Sequence, residues 1–372
     1  MGKYITLFDG RLKETQSKTY VREAYQSMLT TPEWMSVELS GNLAKGLNEK
    51  TSLFHLPYFQ QTFELWRVLY NSLYFGIQES GFFKTIFSDY VVMDLFVVMF
   101  TTCELLPKGL LSLVLYPFLP KENDTAMQTH FAEYYQAFAN ELETTPFFQH
   151  DYKQNIHQLS EKWAHTTDWT WVDYFTWSVV WIDLRSKQFI SSFLQGAYDD
   201  EPSSTQVLVK YNAVDITDPE QAIAEFKEKM SDINSVNIVG NDVYAKDAKS
   251  KNGQTYTSVY ARINAPRYMG FKESVIDLAE QGIYVRKIAG QAHVMLKCEV
   301  EAANKIERKA YQARVLNQVS GITPLYEYGD GKNAGHALCL FKVPAEKLDK
   351  TIQQLEKESD EAETSVKFIH NF

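Results

Sequence analysis

The chain lacks most of the features that would name an activity outright. It holds only three cysteines in 372 residues, Cys103, Cys298 and Cys339. They are odd in number, far apart and form no CxxC pair, which excludes a disulfide framework and a thiolate zinc site. All three lie in apolar surroundings, such as Ala337-Leu338-Cys339-Leu340-Phe341. They read as small buried hydrophobes suited to a reducing, intracellular compartment.

An excess of positive charge is missing too. The 37 Lys and Arg are outnumbered by 47 Asp and Glu, for a net charge of −10. Binding to phosphate backbones needs clustered cations, so no nucleic-acid partner is expected. The start of the chain has no apolar stretch of the secretory type. Met1-Gly2-Lys3-Tyr4-Ile5-Thr6 fits an acylation pattern, but Lys3 is a poor neighbour for the acceptor glycine. There is no Gly-x-Ser-x-Gly elbow, and no Ser-His-Asp or Cys-His set can be placed by spacing. The glycine-rich run 329–335 joins two strand-like segments, and Lys332 is followed by Asn, so it reads as a hairpin loop and not a phosphate cradle. No cofactor is expected, apart from the metal weighed below.

What is present is a chain of globular composition, 45% apolar and 23% charged, with 14% aromatics. Its length allows two or three domains and a large core without staples. A polar stretch, Tyr198-Asp199-Asp200-Glu201-Pro202-Ser203-Ser204-Thr205, separates two halves of different character. The expected boundaries are an aromatic, mainly helical domain over 1–200 and two α+β units over 203–288 and 289–372.

The second half alternates short β-branched runs with amphipathic helices. Strands are expected at 207–211, 236–245, 256–264 and 283–287. In the third, Val259, Ala261 and Ile263 face one way while Tyr260 and Arg262 face the other. Helices fall at about 217–230, where Thr217 and Glu220 suggest a capping box, and at 271–280, closed by Gly282. The order then repeats: strand 293–300, helix 301–319 stopped by Gly321, strands 323–328 and 336–343, a helix 344–359 opened by Pro344, and strand 365–368. Each unit spells β-α-β-β-α-β, the ferredoxin-like order, so two tandem α+β sandwiches are expected.

The first half is helical and unusually apolar. Residues 57–76 place Phe59, Phe63, Trp66, Leu69 and Leu73 at helical spacing. Residues 82–103 form the most apolar stretch, and 110–119 a second apolar run after Pro107-Lys108-Gly109. Helices are also expected at 126–143, 152–166 and 168–193. A bilayer span needs about 20 apolar residues. The stretch 86–103 is nearly that long but carries Asp89 and Asp94, and an Asp near a helix centre costs ~2.5–3.5 kcal/mol against ~0.3–0.6 returned by each Val, Leu or Phe. A buried helix is therefore the first reading, a membrane-associated or half-inserted hairpin the second and a true span the third. Only one or two helices fit wholly inside a domain of this size, yet 91–100 and 169–182 both compete for that place. The surplus points to a surface covered by a protein partner, a second copy or a membrane; a large Phe-rich core with nothing missing is the alternative of nearly equal standing. The expected interface residues are Trp169, Trp171, Tyr174, Trp177 and Trp181.

Two further constellations carry chemistry. His157, Glu161 and His165 share one helical face at i, i+4 and i+8, and His with carboxylate is a zinc or non-haem iron set. The two histidines lie ~12 Å apart along the helix, so a metal would take one of them with Glu161 and borrow from His130, Glu133 or His150. Arg262, Arg267 and Arg286 form a modest basic cluster, a candidate anion site in the first α+β unit. The leading expectation is a non-catalytic structural or adaptor protein that docks through its aromatic half. A ligand-binding or regulatory protein using the tandem units stands second, and a metal-dependent enzyme third.

Overall fold

A computed structural model describes residues 23–142, 145, 147–194, 204–249, 255–267, 270–302, 305–319, 321–329, 336–357 and 365–370. The linker residues 198–203, the turn at Asn252-Gly253, the loop 330–335 and the first 22 residues lie outside them.

Among the described residues, the first half is a bundle of eight helices. These are α1 (Ala24–Leu29), α2 (Thr31–Asn48), α3 (Tyr58–Ser80), α4 (Phe82–Ile86), α5 (Asp89–Leu115), α6 (Ala126–Leu142), α7 (Tyr152–His165) and α8 (Trp171–Leu194). The first amides of a helix find no partner within it, and side chains supply one at several of these starts. Ser88 accepts from the Val91 amide at the start of α5, and Asp151 from the Gln154 amide at the start of α7. The core runs through Leu43, Leu47, Phe54, Tyr58, Leu65, Val98, Leu105, Phe131 and Leu159. The sequence pattern does not reveal α1 and α2, and it divides α5 at Pro107. In the fold α5 continues through Pro107 as one helix of 27 residues. Proline removes one backbone donor there, and packing on both flanking turns holds the helix together.

The second half consists of two four-stranded antiparallel sheets with interleaved helices, both of β-α-β-β-α-β order. The first unit runs β1 (Ser204–Val214), α9 (Pro219–Ser231), β2 (Asn237–Lys249), β3 (Thr255–Pro266), α10 (Gly270–Glu280) and β4 (Ile283–Ile288). The second runs β5 (His293–Glu301), α11 (Lys305–Gln318), β6 (Thr323–Gly329), β7 (His336–Pro344), α12 (Leu348–Lys357) and β8 (Ser365–His370). The strand orders are β2-β3-β1-β4 and β6-β7-β5-β8, so each unit places its first strand centrally. Several boundaries differ from expectation: β1 and β2, for example, run longer, over Ser204–Val214 and Asn237–Lys249. The α9 cap is Asp218, which accepts from the Glu220 amide, and not Thr217. α11 begins at Lys305, and β7 runs through Pro344 into a 3-10 turn before α12 opens.

Period-two alternation sets what each sheet buries. Val207, Val209, Tyr211 and Ala213 of β1 pack with Phe226, Met230, Phe271 and Val275 of the covering helices. Val294, Leu296, Cys298 and Val300 of β5 do the same with Tyr311, Val315, Ile352 and Leu355. These two layers belong to one continuous core, and Lys272 of α10 pairs with Glu356 of α12 across it.

The other face of sheet 2 is buried against the helical bundle. Met295, Tyr326, Tyr328, Leu338 and Leu340 join the bundle core. Arg67 of α3 donates to the Glu327 carbonyl at 2.8 Å, and Ser72 and Tyr326 share a hydrogen bond of 2.9 Å. Lys297 reaches Glu38 of α2 at 2.6 Å, and Lys342 reaches Glu79 of α3 at 2.5 Å.

Candidate functional site

α3 presents an outward stripe of Phe59, Phe63, Trp66, Tyr70 and Tyr74, all exposed, at the i, i+4, i+7, i+11, i+15 spacing of one helix face. α5 lies against α3. Trp66 donates its indole N–H to Thr102 at 3.0 Å, and the Gly109 backbone sits so close to the Phe59 ring that a Cβ there would lie 3.2 Å from it. The two helices thereby join their outward faces, and α5 adds Val92, Leu95, Met99, Leu106, Leu110, Leu113 and Val114. Phe82, Phe83 and Phe87, in and beside α4, extend the face at one end, and Tyr116 and Phe118 at the other. α8 exposes apolar side chains of its own, Trp171, Tyr174, Phe175, Trp181, Ile182, Phe189 and Phe193.

The charges of these helices point the other way. Beyond its first turn, α5 carries Asp94, Glu104 and Lys108, and all three are turned inward. α8 turns Asp173, Asp183 and Lys187 inward, leaving Arg185 outside over the Trp181 ring. The bundle is thus the inverse of the usual amphipathic arrangement along α3, α5 and α8. α6 and α7 are ordinary, exposing Glu133, Gln136, Asn140, Lys153, His157 and Glu161.

The inward charges form a closed quartet. Lys108 lies 2.6 Å from Glu104 and 3.5 Å from Asp183; Lys187 lies 3.2 Å from Glu104 and 3.0 Å from Asp183. Tyr135 donates to Asp183 at 3.2 Å. Burial works to raise the Glu104 carboxyl, and the two ammonium groups outweigh it, holding it at about 2. Burial works to lower Lys187, and Asp183 and Glu104 raise it above the ordinary lysine range. Burial raises the hydroxyls of Tyr58 and Tyr135 well above theirs. The shifts of Glu104 and Lys187 favour their charged forms and those of Tyr58 and Tyr135 their neutral hydroxyls, so none of the four is poised to exchange a proton near pH 7. A cavity of about 70 Å³ adjoins the quartet, lined by Tyr58, Gln61, Tyr135 and Lys187 on one side and by apolar side chains such as Leu39 and Phe138 on the other.

The residues singled out from sequence are distributed as follows. Trp171, Tyr174 and Trp181 are exposed on α8, while Trp169 and Trp177 are half-buried in a ring cluster with Trp163. His157 and Glu161 are 3.6 Å apart and solvent-facing, and His165 turns its ring to the Glu161 carbonyl at 2.7 Å. They do not converge, and among the described residues no group of three or more His, Cys, Asp or Glu is arranged to hold a metal ion. His130 and His150 are engaged elsewhere, with Glu133 and Glu141. Arg262 and Arg286 lie on the face of sheet 1 turned away from its helices, where they pair with Asp242 and Glu346; Arg267 is buried past the end of β3. Two expectations are corrected. The stretch 91–100 is not a buried core helix, since only a third of the most apolar window of α5 is enclosed. Cys103 is exposed on the outer face, whereas Cys298 and Cys339 are buried. The quartet went unread, although Glu104/Lys108 and Asp183/Lys187 both stand at the i, i+4 spacing of helix ion pairs.

No family model and no curated protein matches this chain. Among solved structures it is similar to an unknown protein from Galdieria sulphuraria, 12% identical, covering 45% of this chain and 99% of the other, with a TM-score of 0.17. A superposition that poor carries no argument about fold or function.

Proposed function

We propose that this is a structural or adaptor protein that lies on a membrane surface, with the outward face of α3, α5 and α8 against lipid. The observation that carries the reading is the inverted polarity of those helices: ion pairs inside, aromatic and aliphatic side chains outside. In water such a face costs roughly 25 cal/mol for each Å² left exposed, and patches of this extent belong to surfaces that are covered. Hydrocarbon suits it, because the outward side of α5 carries no charge between Val92 and Val114. Trp66, Tyr70, Tyr74, Trp171 and Trp181 are residues that favour headgroup depth.

The helices lie in the plane of the surface in this reading and do not cross it. α5 is long and apolar enough to span. But sheet 2 is fastened at the middle of α3, through Arg67 and Ser72. An upright α3 would carry the polar edge of that sheet to mid-bilayer depth, where unpaired backbone groups cost several kcal/mol each. A flat orientation leaves both α+β units in water.

Vesicle flotation tests this. The full chain, purified without detergent, is mixed with phosphatidylcholine vesicles, with and without phosphatidylserine. It should float with both kinds and resist added salt, because the face carries almost no charge. A stable monomer left behind by the vesicles overturns the reading. An oligomer that does not float makes a second copy the covering surface.

A further inference from the structure

A groove lies between α2 and the first turns of α3. α2 lines it with Glu38 and Asn42, and with Glu49 at its C-terminal cap, positions i, i+4 and i+11 of one helix face. α3 lines it with Gln60, Gln61 and Glu64. Glu49, Pro57 and Gln60 are exposed and form its mouth, whereas Met35, Leu39 and Asn42 are buried and form its floor. Its volume is about 260 Å³, slightly below the ~300–1,000 Å³ of clefts that take drug-sized molecules.

The charges of this groove are of mainly one sign. Of the four charged side chains that line it, Glu38, Glu49 and Glu64 are acids and Lys45 is the only base. Lys45 lies 3.7 Å from Glu49, both of them open to water, and such a pair is weak. Glu64 lies 2.9 Å from Arg67, one turn on along α3. Lys297 and Tyr328 both donate to the same oxygen of Glu38, Oε1, which leaves Oε2 for the groove. Asn42 is the residue that these pairs do not explain. It is only 7% exposed, and among the described residues its side-chain carbonyl has no hydrogen-bond partner. A buried acceptor left unmet destabilises the empty protein, and a ligand that donates to it removes that cost.

The groove therefore asks for hydrogen-bond donors that carry positive charge. An ammonium supplies three donors and no acceptor. The acids are too dispersed for a single inorganic cation: among the described residues no group of three or more His, Cys, Asp or Glu is arranged to hold a metal ion. Glu38 and Glu49 stand ~16 Å apart along the helix axis, with Leu39 and Leu56 in the wall. Acids at both ends and apolar side chains along the wall match cations spaced on a hydrocarbon chain.

We propose that the groove between α2 and α3 binds a linear polyamine. One ammonium sits among Glu38, Asn42 and Glu64, the methylenes run along Leu39 and Leu56, and a second ammonium reaches Glu49. This goes beyond the membrane reading and does not rest on it, since no residue of the outward apolar face lines the groove.

Calorimetric titration of the full-length protein at physiological salt tests the proposal. Spermidine should bind saturably at one site, and putrescine, too short to span the groove, about tenfold more weakly. Butanediol should not bind, and magnesium chloride at equal ionic strength should not displace spermidine. Hydrogen exchange should slow in α2 when spermidine is bound. Asn42→Leu removes the unmet acceptor, so the amine-free protein should melt higher while spermidine binding falls about tenfold or more. Glu49→Gln, at the exposed mouth, should weaken spermidine about fivefold or more and leave butylamine unchanged. Circular dichroism confirms that each variant is folded. No saturable binding, binding that butanediol matches or magnesium displaces, or affinity indifferent to both Asn42→Leu and Glu49→Gln overturns the proposal.

Discussion

Lys187 lies 3.0 Å from Asp183 and 3.2 Å from Glu104, so one ammonium bridges the carboxylates of two neighbouring helices. Because the quartet is buried, removing a single member strands the rest. Lys187→Met should cost about 3–5 kcal/mol in urea unfolding. Replacing all four by Leu or Met of similar size should cost far less, or stabilise. The quartet also sets an acid limit. The folded Glu104 carboxyl is held at about 2, below its ordinary 4.5, so its contribution is present above about pH 4.5 and is lost as pH falls toward 2. The Lys187→Met variant should show a shallower acid transition.

Asp94 behaves in the opposite sense. It is buried on α5, one oxygen has no hydrogen-bond partner, and burial, with Glu33 nearby, raises its pKa well above the ordinary range. A carboxyl raised on folding stabilises the protein only while it is protonated. That stability is present below about pH 4 and is lost as pH rises through the folded value. Asp94→Asn keeps the shape without the charge and should stabilise at neutral pH by about 1–3 kcal/mol. Thermal melts of both proteins from pH 4 to 8 should converge at the acid end.

Glu38 and Lys297 tie the bundle to sheet 2. Both side chains are largely buried, and Tyr328 also donates to Glu38, at 3.2 Å. Glu38→Gln or Lys297→Met alone should cost about 2–4 kcal/mol, and the double variant less than their sum, a coupling that a double-mutant cycle reads directly.

The β-α-β-β-α-β order was legible because strand and helix periods differ sharply: β3 alternates Val259, Ala261, Ile263 with Tyr260 and Arg262. The apolar surplus of the first half was legible from composition alone. Its placement was not. The insertion cost of Asp89 and Asp94 argued for a buried core helix, whereas Asp94 is turned inward and the apolar side chains of α5 face out. Contacts such as Lys297 with Glu38 join residues more than 250 positions apart, and no local pattern announces them.

The outward face separates stability from docking more cleanly than any buried site. Leu110, Leu113 and Val114 of α5 and Phe63 of α3 are 57–69% exposed, so they contribute little to the core. Changing Phe63, Leu110 and Val114 together to Ser removes apolar area from the face without opening a cavity. Unfolding free energy should therefore move by no more than about 0.5 kcal/mol per site. Solubility should rise, and any self-association at high concentration should fall. Vesicle binding should drop steeply, since a side chain of this size contributes about 1.5–3 kcal/mol when its whole surface leaves water. The matched control is Glu133→Ser with Gln136→Ser on α6, which alters the polar side of the same bundle and should leave flotation unchanged. If the triple variant floats as well as the parent, the face of α3 and α5 is not what meets the lipid.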